Sequence, residues 1–185
     1  MDINNPLDAI YAFAEQTYIR MQAGDLLMRC IDSGSIRPMQ ELVEGLVLAG
    51  PQSMNTLHEI VQETGQRRAQ VQDDLQRLYG EFQKKLIKRR LRVSDQFPDA
   101  LTFTQMDEEN FYQMLVSHGI TGEDEQTDFF QIFQETQDLM SSLVENIQLF
   151  VEIENILRDW LWALAYQSAH EAQPAMNKTT TDWKL

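Results

Sequence analysis

The chain has 185 residues, 43% of them hydrophobic and 24% charged, with eight glycines and five prolines. It is long enough for one buried core, and its composition excludes collagen-like, low-complexity and fully disordered chains. Its 29 acidic and 15 basic residues give a net charge of -14, which excludes a broadly basic nucleic-acid binder. Residues 1–92 hold 12 of each sign while residues 93–185 hold 3 basic and 17 acidic, so the second half carries the entire excess.

The start, Met-Asp-Ile-Asn-Asn-Pro, lacks the basic and apolar stretches of a secretory signal. The most apolar run, Ile147 to Tyr166, is broken by Glu152, Glu154, Arg158 and Asp159 and reads as a buried helix. A single Cys30 can form no internal disulfide, which fits a reducing, cytoplasmic setting.

Asn4 or Asn5 followed by Pro6 predicts a helix start. Leu7, Ile10, Tyr11, Phe13, Ala14, Tyr18, Met21, Leu26, Leu27 and Cys30 then recur at three- and four-residue spacing and predict an amphipathic helix. Ser33-Gly34-Ser35 ends it. Pro38 opens a shorter helix carrying Met39, Leu42, Val43, Leu46 and Val47 up to Gly50-Pro51, so the first 50 residues form a helical hairpin.

From Gln52 to Leu91 the positions Leu57, Val61, Thr64, Arg68, Val71, Leu75, Leu78 and Phe82 alternate by four and three, a coiled-coil-like seam weakened at Gly65 and Gly80. Ser94 to Phe103 reads as a loop because of Phe97-Pro98. Thr104 and Asp107 have capping-box-like spacing before a short helix that reaches His118 and stops at Gly119. Thr121 is expected to cap the last helix, whose first turn holds Glu123, Asp124 and Glu125. Its seam runs through Phe129, Phe133, Thr136, Met140, Leu143, Ile147 and Phe150, then Ile153, Leu157, Trp160, Leu161 and Leu164. The expected fold is all-α: an elongated antiparallel helical bundle with two long coiled-coil-like helices and shorter covering ones. It should form a single domain over 1–173, followed by a flexible tail over 174–185.

Metal, nucleotide and nucleophilic chemistry each need a residue set that the sequence lacks. A di-metal bundle site needs Glu three residues before an inward His, but Asn55, Leu115 and Gln167 precede His58, His118 and His170. Glu123, Asp124, Glu125 and Asp128 lack the alternation and central Gly of a calcium loop, and no Gly-rich phosphate loop occurs. Cys30 on an apolar stripe reads as a small buried hydrophobe. Neither a catalytic group nor a cofactor is expected, and the protein reads as non-enzymatic.

Two features do point to partners. Lys84, Lys85, Lys88, Arg89, Arg90 and Arg92 place six cations in nine positions with no acid among them, and the rest of the chain then carries -20. This cluster either answers the helix dipole and the chain's own acidic half or docks an anionic surface: an acidic protein face, nucleic-acid phosphate or lipid head groups. A protein is favoured there, because the surrounding acids repel a long polyanion within a Debye length of about 8 Å. Trp160, Trp162 and Tyr166 form the second group. Trp160 shares a face with Leu164, whereas Trp162 and Tyr166 lie on another, so one core stripe cannot bury all three and they read as anchors for a protein partner. Long helices with this much apolar face also lead us to expect a homodimer.

Between Phe82 and Thr121, the runs Lys88-Arg89-Arg90-Leu91-Arg92-Val93-Ser94-Asp95-Gln96-Phe97, Leu101-Thr102-Phe103-Thr104-Gln105 and Ser117-His118-Gly119-Ile120-Thr121 resemble a family of short helical cyanobacterial proteins of unknown function. The resemblance covers about a quarter of the chain and implies a bacterial cytoplasmic setting and no particular activity. The N-terminal hairpin and the longer final helix depart from that pattern. The expected function is a non-enzymatic protein–protein interaction module, an adaptor, assembly factor or regulator. The alternative is a regulator binding nucleic acid or anionic lipid through segment 84–92.

Overall fold

The computed structural model describes residues 6–89 and 98–179, with the side chains of 6–9, 51 and 170–179 excepted. Among the described residues every regular element is a helix: α1 (Pro6–Ser33), α2 (Arg37–Ala49), a 3-10 turn (Pro51–Ser53), α3 (Met54–Lys88), α4 (Ala100–Thr104), α5 (Glu108–Ser117) and α6 (Glu123–Thr179). The chain groups into two compact units, Met1–Arg68 with Leu149–Leu185 and Ala69–Gln148. Helices α3 and α6 contribute a segment to each.

In the first unit, α1 ends as its glycine requires. Gly34 adopts φ 58°, Ser35 N–H donates to Cys30 O at 3.0 Å and Gly34 N–H donates to Ile31 O at 3.1 Å. These are the 6→1 and 5→2 bonds of a helix closed by a left-handed residue. The turn brings α2 back along the C-terminal half of α1, so that Ala23, Leu27 and Cys30 are buried with Met39 and Val43. The first turns of α3 add Leu57, Ile60 and Thr64, and α6 adds Phe150, Ile153, Leu157 and Leu164. Two ion pairs fasten the edges of this unit: Arg20 Nε donates to Glu59 Oε2 at 2.8 Å, and Arg68 Nε to Glu154 Oε1 at 2.7 Å.

The apolar stripe of α1 is buried only in its C-terminal half. Ile10, Tyr11, Phe13, Ala14, Tyr18 and Met21 are all exposed, Tyr11 and Phe13 each by 72%. The reason is length and phase. Helix α1 has 28 residues and α2 only 13, and the apolar run shifts by two residues between Met21 and Ala23, about 200° of helix rotation.

The second unit is centred on aromatic rings. Phe133 stacks on Phe111, with centroids 4.1 Å apart and planes at 15°, and meets Phe103 edge-on at 5.3 Å. Phe103 in turn packs on Phe82 at 4.5 Å. Leu75, Tyr79, Leu86, Leu115, Phe129 and Met140 complete this core. The loop expected through Phe103 contains α4, started by Asp99, whose carboxylate accepts from Thr102 N–H at 2.8 Å. That bond holds the Asp99 carboxyl below the ordinary carboxylate range. The next cap is Asp107, accepting from Asn110 N–H at 2.7 Å, whereas the expected Thr104 turns its hydroxyl back to Leu101 O. Gly119 closes α5 with φ 82°, and Ile120 N–H donates to Leu115 O at 3.0 Å. Helix α6 opens with Gly122 O accepting from Gln126 N–H at 2.9 Å, in place of a cap from Thr121. It continues past Ala172 and through Pro174 to Thr179.

Removing the ring at the centre of the aromatic cluster, Phe133→Ala, is expected to cost about 3–5 kcal/mol, and losing the cap in Asp107→Ala about 1 kcal/mol, both read by urea unfolding. The lowered Asp99 carboxyl contributes stability above the ordinary carboxylate range, and that contribution is lost as pH falls through its folded value. Asp99→Asn is therefore expected to flatten the acid limb of the stability–pH curve.

Candidate functional site

The three aromatic residues singled out near the end of the chain separate as the helical wheel requires. Leu164 is buried, Trp160 is half-buried, Trp162 is 74% exposed and Tyr166 is exposed. Trp162 stands at the edge of an apolar hollow of about 450 Å³, lined by Met54, Asn55 and His58 of α3 and by Leu161, Trp162 and Ala165 of α6. A second hollow on the other side of Asn55 and His58 is lined from α1 by Ala12, Glu15, Gln16 and Ile19. The start of α3 thus lies between α1 and α6, with an open apolar recess toward α6.

The outer side of α1 is the apolar surface that sequence reasoning missed. Ile10, Phe13, Ala14, Thr17, Tyr18 and Met21 recur at three- and four-residue spacing on a side of the helix that neither hollow uses. From residue 10 to 21 the only charged side chains are Glu15 and Arg20. Glu15 lines the hollow against α3, and Arg20 is held by Glu59. The outer face therefore carries no charge. The phase shift after Met21 was the available signal, because one stripe cannot include both 10, 14, 17, 21 and 23, 27, 30.

The basic segment lies in the second unit. Lys84, Lys85, Lys88 and Arg89 are exposed at the end of α3, while Arg90 and Arg92 fall outside the described residues. Lys88 and Arg89 share a hollow with Glu125, Asp128 and Phe129 from the first turns of α6. Opposite charges thus line one hollow within this unit. Among the described residues, however, the ion pairs within 4.0 Å involve none of the four cations.

Cys30 is fully buried, and burial raises its thiol pKa while a hydrogen bond with the Met39 backbone opposes the rise. A raised, inaccessible thiol is a poor nucleophile. His58 lies within hydrogen-bond distance of Gln62 and His118 Nδ1 of the Met114 carbonyl. Among the described residues no group of three or more His, Cys, Asp or Glu could hold a metal ion, and no helix is long and apolar enough to cross a membrane.

No protein family, curated protein or solved structure matches this chain. What can be said of its function starts from its own surfaces. These are an uncharged face on α1, a Trp162-edged recess and a cation cluster beside acids.

A thiol reagent is expected to label native Cys30 slowly and the urea-unfolded chain at the rate of a free thiol. Equal rates would place the thiol at the surface.

Proposed function

We propose that the protein is a non-enzymatic protein–protein interaction module, acting as an adaptor, assembly factor or regulator in a bacterial cytoplasm. The observation that carries this reading is the extent of exposed apolar surface in the first unit, where Tyr11, Phe13, Tyr18, Trp162 and Tyr166 are all more than 60% exposed. Scattered exposed hydrophobes are ordinary, but large aromatic side chains gathered in one compact unit mark a surface that another protein covers. Trp162, Tyr166 and the half-buried Trp160 supply the anchors on α6. Self-association belongs to the same reading. The finer architecture that goes with it is an antiparallel, coiled-coil-like pairing of α3 and α6. In its support, in the first unit Met54 to His58 lie by Leu161 to Ala165 while Arg68 reaches back to Glu154.

Capture from a lysate of the source organism tests this reading when it compares the native chain with Trp162→Ala combined with Tyr166→Ala. Both positions are exposed, so helicity by circular dichroism should be unchanged. The native chain is expected to retain a protein at stoichiometric level and the double variant to lose at least tenfold of it. Retention of the same proteins by both chains, or of none by either, contradicts the reading.

A second reading has one observation in its favour: Lys84, Lys85, Lys88 and Arg89 are exposed and outside the ion pairs of the described residues. A regulator docking nucleic acid or anionic lipid there should bind DNA, RNA or anionic vesicles at low salt and release them as salt rises. Lys88→Gln with Arg89→Gln should weaken that binding at least tenfold. Glu125 and Asp128 beside the cluster weigh against it, so the expected result is no binding to any of the three.

A further inference from the structure

We infer that the outer face of α1, from Ile10 to Met21, is a self-association surface on which a second copy of the chain packs its own α1 antiparallel about a two-fold axis. The inference deepens the interaction-module reading by naming one partner and its seat.

The pattern of the face carries it. Ile10, Ala14, Thr17 and Met21 are spaced four, three and four apart, the seam spacing of two packed helices. The order reads the same in both directions. Taken outward from the midpoint between Ala14 and Thr17, the face runs small, aromatic, large on each side: Ala14, Phe13, Ile10 one way and Thr17, Tyr18, Met21 the other. A two-fold axis through that midpoint sets Ala14 against the partner's Thr17 and Ile10 against the partner's Met21. The small central pair lets the backbones approach, and Phe13 and Tyr18 flank them. A closed two-fold interface requires such self-complementarity, whereas a different protein does not require a palindrome on one side.

Area and charge agree. Ile10, Tyr11, Phe13, Tyr18 and Met21 are between 61% and 72% exposed. An aromatic side chain buries about 150–250 Å², so the face offers several hundred Å², comparable to the ~800 Å² per partner of a standard interface. Two copies at a net charge of -14 each repel one another, and a face without charged side chains adds no local like-charge contact to that repulsion. Glu15 and Arg20 are both turned to α3. Association through this face should therefore strengthen as added salt screens the repulsion.

Light scattering across a concentration series, at low and high salt, is the first test. The expected mass rises to twice 21.5 kDa, at lower concentration in high salt. Phe13→Asp and Met21→Glu, both at exposed positions, should weaken association at least tenfold with unchanged helicity, whereas Leu139→Ala, exposed in the second unit, should leave it intact. Orientation is read by oxidative cross-linking in a Cys30→Ala background. Ile10→Cys copies mixed with Met21→Cys copies should cross-link, and neither should do so alone. A chain that stays monomeric, a dimer indifferent to the α1 variants, or cross-linking of either variant with itself overturns the inference. Failure here with capture through Trp162 intact leaves the interaction-module reading standing. A dimer through α1 with capture indifferent to Trp162 and Tyr166 does the reverse.

Discussion

A helix can leave its apolar stripe in water only at a cost, and α2, with 13 residues against the 28 of α1, is too short to cover the whole of it. Helix α2 returns along little more than its C-terminal half, where Ala23, Leu27 and Cys30 are buried with Met39 and Val43. At roughly 25 cal/mol per Å² of apolar surface, each large side chain left exposed forgoes on the order of 1.5–3 kcal/mol of burial. An uncovered run of Ile10, Phe13, Tyr18 and Met21 is therefore a sizeable unrealised driving force. The proposed association rests on that uncovered surface.

The two units answer the same constraint differently. In the second, α4 and α5 close over α3 and α6, and four phenylalanines touch in a chain from Phe82 through Phe103 and Phe133 to Phe111. That unit gathers its aromatic rings into one core, while Ile87, Leu101 and Leu139 stay exposed and Lys88 and Arg89 share a hollow with Glu125 and Asp128. The first unit covers its core but leaves the outer face of α1 and the Trp162 recess open.

Much of the fold was legible because its signals are local. Pro6, Gly34 and Gly119 bound helices where a fixed or left-handed φ is needed, and the α3 and α6 seams brought Leu57, Thr64, Leu75, Phe82, Phe129, Phe133 and Met140 to buried positions. A strict four-and-three seam missed Ile60, Tyr79 and Leu86, because a helix covered by several neighbours buries a wider stripe than a two-stranded coil does. Helix α4 was hidden by Phe97-Pro98, although Asp99 immediately after the proline was a capping signal. Of the candidate site, the exposure of Trp162 and Tyr166 followed from helical geometry alone. The α1 face did not. Helical periodicity identifies which residues share a side, but whether that side is covered depends on the length of a neighbour, a tertiary fact that spacing does not encode.

The central claim is that residues 10–21 of α1 are covered by a partner surface identical to their own. Backbone hydrogen exchange over that segment, followed at low and high protein concentration, tests it most directly. The account predicts that protection of Ile10 to Met21 rises with concentration while that of the buried Leu27 and Cys30 stays constant. Exchange in residues 10–21 that is the same at every concentration would contradict it.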